Sequence, residues 1–207
     1  MVGSLCLSLL CLPTATEFEL DAFIASVLAV ALAEVGDKTQ LLALFLAAMF
    51  ARKIPIVLGI FVATILNHAV SAWFGVWISQ NVSDELLTWV VALSFLAMGA
   101  WLLIPDKEDE VAQKYVKYGA FVATTVLFFF AEIGDKTQIA TVLLAAKYND
   151  FYPVLLGTTV GMMLANVPVV YLGCWLLDRL SFKKIRRVAC ILFILLGLGT
   201  LIQYYWF

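Results

Sequence analysis

Residues 21–104 return, without a single gap, as residues 119–202. Sliding the chain against itself by 98 positions gives 26 identities in 84 pairs, more than a biased composition supplies by chance. The matches go beyond one aliphatic on another. Ala33/Ala131, Pro55/Pro153, Gly59/Gly157, Gly75/Gly173, Trp77/Trp175 and Gly99/Gly197 coincide, and so do Glu34/Glu132 and the unbroken stretches Gly36-Asp37-Lys38-Thr39-Gln40 and Gly134-Asp135-Lys136-Thr137-Gln138. Duplication explains this economically, and it means that any device one half builds is built twice.

The solvent around this duplicated unit is lipid. The 207 residues are 64% apolar and only 14% charged, with a mean hydropathy of +1.00, against roughly 45–50% apolar and about 25% charged in soluble domains. Six apolar runs, near 21–50, 54–79, 86–104, 117–147, 152–178 and 188–206, reach the ~20 residues needed to cross a ~30 Å hydrocarbon layer. Continuous runs satisfy their backbone groups as helices, not as the ~10-residue alternating strands of a barrel. The expected fold is an all-α polytopic membrane protein. Residues 1–20 form an N-terminal segment, 21–104 a first repeat of three transmembrane helices, 105–117 a loop, and 118–207 a second three-helix repeat.

Three helices is an odd number, so the second copy enters the membrane from the side opposite to the first, and the halves are expected to be inverted repeats. Secondary transporters use this arrangement, with their site near the midplane at the repeat interface. Basic residues orient the chain. Arg52, Lys53, Lys107, Lys114, Lys117, Arg179, Lys183, Lys184, Arg186 and Arg187 fall on one side and only Lys147 on the other. By the positive-inside rule the loops 51–53, 105–117 and 179–187 are cytoplasmic, which puts both termini outside. Trp77, Trp89, Trp101, Trp175, Tyr204, Tyr205 and Trp206 lie near run ends and suit interfacial anchoring.

Several function classes are excluded. A net charge of -2 with sparse basic residues describes no nucleic-acid binder. Cys6, Cys11, Cys174 and Cys190 form no CxxC pair and no Cys/His cluster, so neither zinc nor a disulfide framework is expected. Residues 1–16 are a short apolar stretch ending Pro13-Thr14-Ala15-Thr16, which suits a cleaved signal peptide on an outside N-terminus, although the basic n-region is missing.

The polar stretches carry the chemistry. Glu34 and Glu132 fall near the middle of their runs, the first of which would measure ~45 Å as a continuous helix. An ionisable group at the bilayer centre costs roughly 2.5–3.5 kcal/mol on insertion scales, and each motif places three there. On a helix, Glu34 and Asp37 share one face at i, i+3, as do Glu132 and Asp135. Inverted symmetry is expected to bring both faces together, giving four carboxylates around one point. Carboxylates suit hard cations such as Ca²⁺, Mg²⁺ and Mn²⁺, with Thr39, Thr137, Gln40 and Gln138 as neutral oxygen donors. Gly36 and Gly134 are placed to kink or unwind the helix and expose carbonyls. Lys38 stands i+4 from Glu34, and Lys136 i+4 from Glu132, the favourable orientation for intrahelical pairs. Four carboxylates and two ammoniums leave a charge of -2, which one divalent cation or two protons neutralise, so metal and protons are expected to compete for one site. Asn67 and His68 in the first half and Asn166 in the second either line the pathway or satisfy a neighbouring helix backbone. Gly161, Pro168 and Gly173 read as packing and kink residues.

Glu34-Val35-Gly36-Asp37-Lys38-Thr39 and Glu132-Ile133-Gly134-Asp135-Lys136-Thr137 resemble the duplicated E-x-G-D-K-(T/S) signature of the calcium/cation antiporter-2 family, over residues 21–206. The resemblance implies Mn²⁺ or Ca²⁺ exchange driven by protons, with Glu34, Asp37, Glu132 and Asp135 binding the ion and no further cofactor. The short 105–117 loop, with Asp106, Glu108, Asp109 and Glu110, is similar to the compact bacterial branch of manganese exporters and implies a bacterial inner membrane. The acidic loop itself reads as solvated.

The leading expectation is export of cytosolic Mn²⁺ in exchange for external protons, by rocking of one half against the other. Ca²⁺/H⁺ exchange is the nearest alternative. A passive divalent-cation channel and a small-solute exporter on the same scaffold are others. A membrane-embedded enzyme using the carboxylates as acid and base lacks any zinc, Ser/His or phosphate-cradling motif.

Overall fold

A computed structural model describes residues 15–104, 118–173, 175 and 181–206. The signal-peptide reading of residues 1–16 (all but Ala15 and Thr16), the acidic loop 105–117, and Cys6, Cys11 and Cys174 lie outside the described residues. Among the described residues the chain is helical and has no strand. Among the described residues there are eight helices: α1 Ala15–Glu34, α2 Lys38–Met49, α3 Lys53–Asn81, α4 Asp84–Trp101, α5 Ala120–Glu132, α6 Lys136–Tyr148, α7 Phe151–Leu172 and α8 Phe182–Trp206.

Two of the six apolar runs are therefore not single helices. The run 21–50 is divided into α1 and α2, and the run 117–147 into α5 and α6, each time at the polar motif. Among the described residues four helices, α3, α4, α7 and the Lys183–Trp206 stretch of α8, are long and apolar enough to cross a membrane. Their exteriors carry large apolar side chains such as Leu58, Trp73, Leu93, Leu156 and Ile191, all exposed. Such surfaces are stable only against lipid. The aromatic residues Trp77, Trp89, Trp175, Tyr205 and Trp206 are also exposed.

Contacts repeat under the 98-residue offset. α1 packs on α7 and α5 on α3; α2 also meets α7, and α6 meets α3. A β-carbon on Gly59 would stand 2.7 Å from Thr124 Cβ and 2.9 Å from the Phe121 carbonyl oxygen. One on Gly157 would stand 2.8 Å from Ser26 Cβ and 2.6 Å from the Phe23 carbonyl oxygen, the same three positions with the halves exchanged. Only glycine lets these backbones approach so closely, as small residues do at helix interfaces in membranes. Between α4 and α8 the rings of Phe95 and Phe193, one position in the two copies, meet edge to face at 5.9 Å. Residue i of one half thus meets residue j of the other while j meets i.

Two apolar clusters flank the motif breaks. One joins α1, α4, α6 and α8 through Ala29, Ala33, Phe95, Leu144 and Phe193; the other joins α2, α3, α5 and α7 through Leu46, Ile60, Phe128 and Val169. Large side chains such as Phe95, Phe128 and Phe193 are fully buried there. The polar motifs lie between two packed regions that hold the helix ends in place.

Candidate ion site

Each break is closed in the same way. Helix α1 stops at Glu34 and α5 at Glu132, because Gly36 and Gly134 take positive φ values of 80° and 75°, a conformation that a side chain disfavours. The backbone N–H of Asp37 turns back to the Glu34 carbonyl at 3.0 Å, and that of Asp135 to the Glu132 carbonyl at 3.1 Å. Gln40 Oε1 then accepts from the Gly36 N–H at 2.9 Å, and Gln138 Oε1 from the Gly134 N–H at 2.6 Å. A glutamine three residues into the helix reaches back over its N-terminus, as in a capping box. Asp37 and Asp135 are the N-cap residues of α2 and α6, yet neither carboxylate caps its helix. The glutamines satisfy the upstream donors and the aspartates are turned to other use.

This geometry changes the local argument from spacing. Residues 35–37 and 133–135 are not helical, so Glu34 and Asp37 do not share a helix face at i, i+3, and neither do Glu132 and Asp135. They meet because a helix end and the next helix start are folded onto one another. Nor are the lysines intrahelical partners. Lys136 Nζ lies 4.0 Å from Asp37 Oδ1, in the other half, and Lys38 is close enough to act on the charge of Glu132, also in the other half. The expected Glu34–Lys38 and Glu132–Lys136 pairs do not form, since the break separates each lysine from its own glutamate; Lys136 pairs with Asp37 and the charge of Lys38 acts on Glu132.

Glu34, Glu132 and Asp135 each offer an oxygen, and the three oxygens lie within 4.8 Å of one another, all buried. Asp37, also buried, stands outside this trio beside Lys136, although its charge still acts on Glu34 together with those of Glu132 and Asp135. The N-termini of α2 and α6 present their positive ends here and α1 and α5 their carbonyl ends. The two glutamates are held differently. Asn166 Nδ2 donates to Glu34 Oε1 at 3.1 Å, and Thr137 Oγ1 donates to Glu132 Oε2 at 2.8 Å. Glu34 Oε2, Glu132 Oε1 and Asp135 Oδ2 make no hydrogen bond among the described residues, which leaves one oxygen of each carboxylate for a ligand.

The remaining polar residues divide. Asn67 Nδ2 donates to the Phe129 carbonyl at 3.0 Å and so caps the C-terminal turn of α5. Gln40 ties α2 to α7 through the Ala165 carbonyl at 3.0 Å. The Thr39 hydroxyl and both ring nitrogens of His68 are buried without a hydrogen bond among the described residues. Lys136 is further held by the Ile104 carbonyl at 3.3 Å and by the Trp101 ring, 5.7 Å away. Trp101 thus has a partner inside the protein as well as an exposed edge, which position near a run end did not reveal. Sequence reasoning also passed over Met162, whose sulfur lies 3.2 Å from Asn166 Nδ2. The available signal was its repeat partner, Thr64, a polar residue at the matching place in α3.

A family description, the divalent cation/proton antiporter GDT1, matches residues 22–110 and 120–206, one segment on each half. The chain belongs to the GDT1 family. The chain is 49% identical over 189 residues to a Vibrio cholerae protein named "Putative manganese exporter", covering 91% of this chain and 94% of that one. It is 30% identical over 200 residues to a GDT1-like protein of Synechocystis, covering 85% and 94%, and 28% identical over 219 residues to GDT1-like protein 5 of rice, covering 86% and 93%. No solved structure matches the chain. The likeness to cation antiporters read from the duplicated motif holds. As a GDT1 protein this is a multi-pass membrane transporter, not an enzyme, and its substrates are a divalent cation and protons.

Proposed function

We propose that the protein exports Mn²⁺ from the cytosol in exchange for external protons, by alternating access at the buried carboxylates Glu34, Glu132 and Asp135 with Asp37 beside them. The observation that carries this reading is the trio of buried carboxylate oxygens within 4.8 Å of one another, contributed by both motifs at helix breaks. Three crowded carboxylates repel one another, and either a divalent cation or protons relieve that repulsion. The same atoms hold one cargo or the other, which couples the two fluxes. Hard oxygen donors suit Mn²⁺ and Ca²⁺ alike. The Vibrio relative's name favours manganese.

The halves are read as inverted repeats that exchange roles. Reciprocal contacts at Gly59/Gly157 and Phe95/Phe193 support this, as does the unequal dress of the two glutamates, one held by Asn166 and the other by Thr137. In one state of such a transporter the two half-sites differ, and in the other the difference is transferred. The chain is placed in a bacterial inner membrane with both termini outside. An impermeant thiol reagent should then reach Gln203→Cys from outside intact cells and Arg52→Cys only after the membrane is opened; the reverse pattern rejects the orientation.

The transport reading is tested in sealed proteoliposomes with a pH dye, by adding Mn²⁺, Ca²⁺ or Mg²⁺ to wild type and to Asp37→Asn. Proton movement driven by Mn²⁺ in wild type and lost in the variant is the expected result. Metal entry with no pH change marks a channel, and silence with every metal in folded protein rejects metal antiport.

A further inference from the structure

The two half-sites differ in a residue type as well as in hydrogen bonding. The 98-residue offset matches Thr64 with Met162, and both are fully buried. Met162 Sδ accepts from Asn166 Nδ2 at 3.2 Å, and the same nitrogen donates to Glu34 Oε1 at 3.1 Å and to the Met162 carbonyl at 3.3 Å. The sulfur and the carboxylate oxygen are therefore at most 6.3 Å apart. An amide N–H group is electropositive, so the sulfur and the carboxylate oxygen already share one electropositive partner. Asn166 Oδ1 is buried with no hydrogen-bond partner among the described residues. Rotation of the amide exchanges its nitrogen and oxygen ends, which would turn Oδ1 toward a cation and release the sulfur and Glu34 Oε1 as fellow ligands.

We propose that Met162 sets the ion selectivity of this site, its thioether joining Glu34 and Asn166 Oδ1 as a ligand that admits Mn²⁺ and softer divalent cations and disfavours Ca²⁺ and Mg²⁺. The inference rests on the carboxylates being the transport site. Ca²⁺ and Mg²⁺ take oxygen ligands, and a sulfur in the shell takes the place of one. First-row transition ions accept mixed shells, and thioethers favour the softer of them. The counterpart Thr64 offers a hydroxyl instead, so the second half supplies the soft donor and the first a hard one. Met162 also fills space, but leucine fills nearly the same volume with little loss of stability. Met162→Leu thus removes the sulfur and keeps the packing.

The experiment compares initial rates of proton movement driven by Mn²⁺ and by Ca²⁺ in proteoliposomes of wild type and Met162→Leu, together with the Cd²⁺ concentration that halves the Mn²⁺-driven rate. The Mn²⁺/Ca²⁺ rate ratio should fall about tenfold in the variant, and the Cd²⁺ concentration should rise by a similar factor. A variant that transports with both quantities unchanged overturns the role of Met162. X-ray absorption on Cd²⁺-loaded wild type serves if the variant does not fold: a sulfur neighbour is expected, and an all-oxygen shell overturns the proposal. Wild type that moves no protons with any metal overturns the transport reading itself, and the selectivity role falls with it.

Discussion

Asn166 and Thr137 do equivalent work on opposite carboxylates, one from the far half and one from within its own motif. The Thr137 hydroxyl, 2.8 Å from Glu132 Oε2, stabilises the ionised glutamate that a metal needs, and hydrogen bonds to charged groups contribute about 1.5–3 kcal/mol. Thr137→Val keeps the shape and removes the donor. Protons should then compete better for Glu132, so the Mn²⁺ concentration for half-maximal transport rises about tenfold near neutral pH and recovers as pH is raised. Thr39→Val, whose hydroxyl makes no hydrogen bond among the described residues, should change it less. Equal effects from the two variants would show that the Thr137 contact does not matter. At this scale the sequence was legible in residue type and not in partner. Glu34, Asp37, Glu132 and Asp135 stand out as charges inside apolar runs. That Asn166 reaches Glu34 across 132 positions, and that each lysine serves the opposite half, depends on packing that no local pattern carries.

The helix breaks are the decisive elements. Asp-x-x-Gln after a glycine is a start signal for a helix, and it occurs inside each of two apolar runs long enough to be read as single helices. Length argued for continuity; positive φ at Gly36 and Gly134 argues the other way and prevails, because Gln40 and Gln138 satisfy the amides that the break releases. The apolar pattern fixed the number of runs but not their interruption, which is why the i, i+3 face of Glu34 and Asp37 does not exist. Helix interfaces give a test at the same scale. Gly59→Ala and Gly157→Ala each place a β-carbon under 3.0 Å from the opposite half, an overpacking that typically costs 1–3 kcal/mol, roughly. Gly199, inside α8, has nothing among the described residues within 4 Å of such an atom, so Gly199→Ala should stabilise by up to about 1 kcal/mol. Thermal unfolding in detergent should therefore show two similar decreases and one small increase. A large decrease confined to one of the Gly59 and Gly157 variants would contradict reciprocal packing of the halves.

For the whole molecule, duplication explains why a chain of 207 residues can build a buried multi-carboxylate site at all. Each half contributes a glutamate at a helix end and an aspartate at the next helix start, and neither half alone gathers the trio. The repeat was plain from the 98-residue offset, and the reciprocal contacts of α1 with α7 and α5 with α3 follow it. What the offset could not give is asymmetry of packing between the copies, here the trio without Asp37. The central claim is that metal and protons occupy the same carboxylates in turn. Proton release on adding Mn²⁺ to the purified protein in weakly buffered detergent solution tests it most directly, with Glu132→Gln as the comparison. The account expects wild type to release protons in step with Mn²⁺ binding, with less released as pH is raised, and Glu132→Gln to release fewer. Tight Mn²⁺ binding that displaces no protons at any pH would contradict it.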